Sequence, residues 1–341
     1  MTHARVTKKI APAFSLDVDL PLAGITALFG PSGSGKTLLL ETIAGFVAPD
    51  AGRILLDDVI LFDAESRVNV PPRRRNVAYI GCDDSLFPHM TLEQNLKFAA
   101  GRFPRLERHR RVAETLERFQ LSALAKARPH DLTPAQKLRG AAARALTGEP
   151  KLLLLDERGF DEALVREMRD SASVPIVLAT GDLDLCCAVA GMLVVMDAGR
   201  ILQRGAPRDV LDHPESVEVA RLAGISNLLQ GTIAALDPGR NTSRIDFERF
   251  SLNAPYIPGH FRGDQIWVAI DPHDVRVHSG DVVPPPNAAP AQLVRVSQRA
   301  HSVRLEFQGP LFAEISREEY AGQRDNKSWQ VEFPPEALKI L

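Results

Sequence analysis

The chain has 341 residues, 45% of them hydrophobic, with 41 Lys and Arg against 43 Asp and Glu. That length allows two domains and a sizeable core, while a formal net charge of −2 gives no global electrostatic case for a nucleic-acid partner. Three cysteines, Cys82, Cys186 and Cys187, are odd in number and lack metal-ligand spacing, which points to a reduced cytosolic compartment. The basic start MTHARVTKKIAPAF has no signal-peptide core, and no run reaches the roughly eighteen apolar residues of a membrane span.

From Phe14 to about Leu222 strands and helices alternate. FSLDVDL and GITALFG read as strands, a helix follows the glycine-rich run, and RILLDDVILF and VAYI are strands again. Helical patterns occupy 91–126 and 137–147, then LLLLD, PIVLAT, LVVMD and GRILQRG complete the series. This order predicts an α/β core with a largely parallel sheet and an antiparallel β edge near 51–63. The charged run RLERHRRVAETLERF at 105–119 is read as a solvated helix face, and the Cys186–Cys187 pair as helix packing.

After Asn227 short strands with Gly, Pro and Asn punctuation take over, from LLQGTIAAL to WQVEF, and predict an all-β module. The proline run Pro284–Pro286 divides it as a stiff spacer would. The two halves share strand texture more than residues, which leaves an internal repeat open. Two domains are expected, residues 1–226 and 227–341.

GPSGSGKT, from Gly30 to Thr37, fits a loop that holds nucleotide phosphates. Gly30 and Gly35 let the backbone turn its N–H groups inward through Pro31, Ser32, Gly33 and Ser34, Lys36 reaches the β- and γ-phosphates, and Thr37 offers its hydroxyl to Mg²⁺. The helix that follows points its positive end at the same phosphates. Downstream, KLLLLDE at 151–157 is a buried strand ending in two acids. Asp156 is expected to hold Mg²⁺ through water and Glu157 to orient or deprotonate the attacking water. ATP or GTP with Mg²⁺ is the cofactor these residues imply.

Together with LFPHMT at 86–91 and DLTPAQKLRGAAARAL at 131–146, these motifs resemble the ATP-binding subunits of ABC transporters. TALFGPSGSGKT, LFDAESRVNVPPRRRNVAYI and LFPHMT look most like the molybdate-importer ATPases. GDQIWVAIDPHDVRV and LFAEISREEY are similar to their C-terminal TOBE or MOP barrel. The resemblance implies an ABC-type P-loop NTPase fold with a helical subdomain, followed by a small all-β barrel. It implies ATP as the nucleotide, a second ATPase subunit facing it head to tail, and integral membrane permease subunits touching region 82–91 through Phe87 and His89. The setting it implies is peripheral, on the cytoplasmic face of the inner membrane, with no nucleic acid as partner. An oxyanion is the candidate ligand of the C-terminal module, and Phe14 the candidate for stacking on adenine.

The family pattern is broken at three places. Cys82 stands where the family has a glutamine, and a thiol is a poor Mg²⁺ ligand. The signature LSGGQ reads Leu132-Thr133-Pro134-Ala135-Gln136. Thr133 and Gln136 keep polar groups for the neighbour's nucleotide, but Pro134 removes an N–H and Ala135 adds a Cβ. The same letters read as a helix N-cap followed by proline, and both readings are compatible. Gly181 occupies the place of the family's γ-phosphate histidine, and Asp161 is the only remnant of the turn after the acidic strand. Two readings follow: an importer ATPase with slow or conditional hydrolysis, and an ATP-responsive or oxyanion-sensing regulator that does not hydrolyse.

Overall fold

The computed structural model describes residues 2–11, 14–81, 85–156, 159–279, 283–309, 311–324, 326 and 328–341. It divides into two compact units, Met1–Val210 and Leu211–Leu341. This division lies ahead of the change in sequence texture at 226/227, because a short helix before that point packs with the second unit.

In the first unit the strands are β1 (His3–Ala11), β2 (Phe14–Pro21), β3 (Ile25–Phe29), β4 (Ala51–Leu56), β5 (Val59–Asp63), β6 (Val68–Asn69), β7 (Val77–Gly81), β8 (Leu152–Asp156), β9 (Ile176–Thr180), β10 (Met192–Asp197) and β11 (Arg200–Gly205). The helices are α1 (Lys36–Ala44), α2 (Leu92–Ala99), α3 (Arg105–Arg118), α4 (Pro134–Thr147), α5 (Glu162–Ser171) and α6 (Leu183–Val189). A helix α7 (Pro207–Asp212) straddles the division.

The strands form one sheet in the order β6-β5-β4-β1-β2-β11-β10-β3-β9-β8-β7. From β10 to β7 all neighbours run parallel. From β6 to β2 all run antiparallel, and β11 is antiparallel to β10. The sheet is therefore mixed, not largely parallel. The difference comes from β1, hidden in the basic start of the chain: Ala4 and Val6 turn inward at 0% exposure while Arg5 stays in solvent. That alternation in HARVTKKI is the mark of a half-buried strand.

The central strands are buried on both faces, which is why ITALF, LLLL and IVLA are continuous apolar runs. Alternate residues serve different layers. Leu152 and Leu154 pack with Leu39, Leu40 and Ile43 of α1, whereas Leu153 and Leu155 pack with α2, α4 and α5 on the opposite face. The period of two carries Asp156 to the α1 side. Likewise Val77 and Tyr79 of β7 pack in the α1 layer, ahead of Gly81.

The second unit begins with α8 (Val217–Leu222) and contains β12 (Asn227–Asp237), β13 (Thr242–Asp246), β14 (Ser251–Pro255), β15 (Gln265–Ile270), β16 (Arg276–Ser279), β17 (Ala288–Ala291), β18 (Leu293–Gln298), β19 (Ser302–Phe307), β20 (Leu311–Ser316), α9 (Arg317–Gln323), β21 (Trp329–Glu332) and β22 (Lys339–Ile340). The helix α8 is the element that moves the division: Ala220 and Ile225 bury against Ala269 of β15. The sheets are β14-β13-β12-β15-β22, β16-β21-β17 and β18-β19-β20. The stretches before and after Pro284–Pro286 interleave, since β21 pairs with both β16 and β17 and β22 closes on β15. Among the described residues no helix is long and apolar enough to cross a membrane.

Candidate nucleotide and magnesium site

β3 delivers the chain to Gly30, and α1 begins at Lys36. A Cβ at Gly30 would stand 2.1 Å from the Met196 carbonyl oxygen of β10, so only glycine lets the loop pass there. Gly35 caps α1 with φ 99°, in the left-handed region, and the Phe14 ring lies 3.2 Å from where its Cβ would be. The helix has no side-chain cap and no acidic residue in its first turn. Its first N–H groups and positive dipole end therefore favour an anion at this point.

Pro31, Ser32 and Gly33 form the exposed outer rim of the loop, while Ser34 is 1% exposed. Lys36 lies along the inner wall, where Nζ donates to Gly30 O at 2.7 Å, Pro31 O at 2.9 Å and Ser34 Oγ at 3.1 Å. Burial lowers its pKa from the usual lysine value, opposed by the charge of Asp156. The loop thus holds its one ammonium beside the carboxylate that ends β8.

Thr37 and Asp156 are 119 positions apart, and Thr37 Oγ1 donates to Asp156 Oδ1 at 3.2 Å. The second carboxylate oxygen accepts from Tyr79 OH at 2.9 Å. Among the described residues no three His, Cys, Asp or Glu side chains gather into a metal cage. A hydroxyl and a carboxylate are hard oxygen donors that fit Mg²⁺, which completes its shell with water and phosphate oxygens. Thr37 and Asp156 would hold the ion there, and it would supply positive charge against the charge developing on the phosphates. Glu157 and Cys82 lie outside the described residues.

Thr133 and Gln136 belong to a second place, the start of α4. Their side chains close on each other as a capping box, with Pro134 at the first helical position. Asp161 caps α5 by accepting from Leu164 N–H at 2.7 Å. A Cβ at Gly181 would meet no heavy atom within 4 Å, and the following Asp182 caps α6. Cys186 of α6 is fully buried, and burial pushes its thiol up to about 12. Phe87 packs edge-on to the exposed Phe98 at 4.9 Å and lies 6.0 Å from His89, with the Arg144 guanidinium 4.2 Å above its ring.

Tyr79 is the site residue that sequence reasoning missed. The signal was available only in part: alternation in VAYIG places it on one face with Gly81, but its partner comes from a distant strand.

A phosphate loop feeding a helix beside an acid-tipped strand defines a P-loop nucleotide-binding protein. Residues 14–158 match the ABC transporter family. The chain is 40% identical over 235 residues to the Fe(3+) ions import ATP-binding protein FbpC of Pseudomonas fluorescens, covering 66% of this chain and 64% of that protein. It is 33% identical over 289 residues to the spermidine/putrescine import ATP-binding protein PotA of Nitrosomonas europaea, covering 80% and 78%. The molybdenum import ATP-binding protein ModC of Brucella abortus is 36% identical over 234 residues, covering 65% and 63%. Among solved structures, cbiO1 from Clostridium perfringens, part of the ABC transporter complex cbiONQ, aligns with TM-score 0.52 and 27% identity over 64% of this chain and 92% of that one. The chain belongs to the ABC transporter family of ATP-binding proteins, whose ATPases use ATP with Mg²⁺.

Proposed function

We propose that this chain is the ATP-binding subunit of an ABC importer for a small oxyanion such as molybdate, in which ATP binding and slow hydrolysis drive membrane permease subunits. The observation that carries the reading is the meeting of Thr37 and Asp156 beside Lys36. Lys36 and the loop N–H groups between Gly30 and Gly35, Pro31 having none, hold the phosphates, Thr37 and Asp156 hold Mg²⁺, and Glu157 activates water. A second ATPase subunit faces the site, presenting Thr133 and Gln136 or their equivalents. Residues 1–226 handle ATP, and residues 227–341 form a TOBE-type barrel that is the candidate oxyanion binder. Phe87 and His89 meet the permease at the cytoplasmic face of the membrane.

An oxyanion cargo is supported by relatives named for molybdenum and for sulfate/thiosulfate. Others are named for Fe(3+) and spermidine/putrescine, so the cargo differs among the relatives. Thermal unfolding with and without Mg-ATP tests the first step. ATP at about 100 times its Kd should stabilise the wild type by about 2.7 kcal/mol and leave Lys36→Ala unmoved. Equal responses would reject the site. Phosphate release by the reconstituted complex tests the second step, and no turnover with no transport would reject the importer reading.

The capping box that occupies Thr133 and Gln136, and the bare Gly181, favour the alternative of a non-hydrolysing, ATP-responsive regulatory or oxyanion-sensing subunit. Appreciable turnover by the isolated chain would count against it.

A further inference from the structure

We propose that Tyr79 is the positioning residue that sets the Asp156 carboxylate for Mg²⁺, and that Gly81 provides the seat its ring needs. This rests on the reading that Asp156 faces the metal.

β7 runs parallel to β8 with Gly81 paired to Asp156 and Tyr79 to Leu154. Tyr79 and Gly81, two positions apart, lie on the α1 side of the sheet. A Cβ at Gly81 would stand 2.6 Å from Tyr79 Cε1 and 3.2 Å from its hydroxyl oxygen. The ring therefore lies across Gly81 toward the end of the strand, where its hydroxyl donates to Asp156 Oδ2 at 2.9 Å. Any side chain at 81 would compete for that space.

The ring has a second contact. Phe46 meets it edge-on, with centroids 5.3 Å apart and planes at 87°. Phe46 directly follows Gly45, the C-cap of α1. Contacts thus close a circuit: the C-terminal end of α1 braces Tyr79 through Phe46, Tyr79 holds Asp156, and Asp156 returns to Thr37 in the first turn of α1. A carboxylate turns easily about its last bond. With Oδ2 held by the phenol, Oδ1 is presented toward Thr37, where the two oxygens would hold Mg²⁺. Partners of this kind orient a ligand without touching the metal, and losing one typically costs about 10- to 100-fold in metal affinity.

The test uses the full chain, with trinitrophenyl-ATP fluorescence followed as Mg²⁺ is titrated. Tyr79→Phe keeps the ring and its contact with Phe46 but removes the donor. The Mg²⁺ concentration at half-saturation should rise about tenfold, with affinity for the nucleotide in EDTA unchanged. Gly81→Ala keeps the hydroxyl but displaces the ring, and should move the midpoint the same way. Asp156→Asn is the reference and should lose the Mg²⁺ dependence. If Asp156→Asn loses it while Tyr79→Phe keeps the wild-type midpoint, the positioning role is overturned and the metal reading stands. A wild type without Mg²⁺ dependence overturns both.

Discussion

Thr133 and Gln136 satisfy each other at the start of α4. The threonine hydroxyl accepts from Gln136 N–H at 3.3 Å, and the glutamine amide oxygen accepts from Thr133 N–H at 2.9 Å. Since Pro134 has no N–H, this reciprocal pair leaves Ala135 with the one uncommitted N–H of the first three helical residues. Thr133→Ala should therefore lower stability by about 1 kcal/mol, read as a lower urea midpoint. Thr133→Ser should retain it.

Space at residue 181 permits a direct repair of the altered switch. Nothing lies within 4 Å of a Cβ there, and the position has no positive φ. The double variant Cys82→Gln/Gly181→His should raise ATP turnover by about 10²-fold at unchanged nucleotide affinity, since such groups act mainly in the transition state. Equal rates of phosphate release in variant and wild type would mean that other groups have replaced them.

Arg75 is a buried cation whose bonds include the end of a helix. It is 2% exposed, and Nη1 donates to Thr42 O at 3.1 Å and Ile43 O at 2.8 Å in the last turn of α1. Nε donates to Val70 O at 2.7 Å and Nη2 to Asn69 Oδ1 at 3.0 Å. Desolvation lowers its pKa, and the negative end of the helix dipole favours its charge. Arg75→Met strands these acceptors and should cost about 3 kcal/mol, seen in chemical denaturation. Arg75→Lys should recover little, because one ammonium cannot span them.

Glu93 makes stability depend on acid pH. Lys126 at 2.8 Å and Lys97 at 2.5 Å donate to its two oxygens, and these bonds hold its carboxyl down from 4.5 to about 2. The folded-state value is depressed, so the contribution is fully present above the unfolded value and is lost as pH falls through about 2. The stability gap between wild type and Glu93→Gln should shrink over that window and stay constant above it.

The phosphate loop, the acid-tipped strand and the change to short strands after Asn227 were legible as letters, because each depends on spacing or periodicity within one stretch. The antiparallel share of the sheet was underread because β1 carries Arg5, Lys8 and Lys9 and looks like a basic tail. The interleaving of strands around Pro284–Pro286 was invisible, since β21 chooses partners on both sides of the run.

Local order is what the amino-acid string dictates here: which residues turn, which face inward, where a helix must begin. Meetings across the fold are another matter. Tyr79, Phe46, Asp156 and Thr37 come together because β7, β8 and α1 pack side by side in one layer, and no periodicity records which distant side chain will fill the space above Gly81.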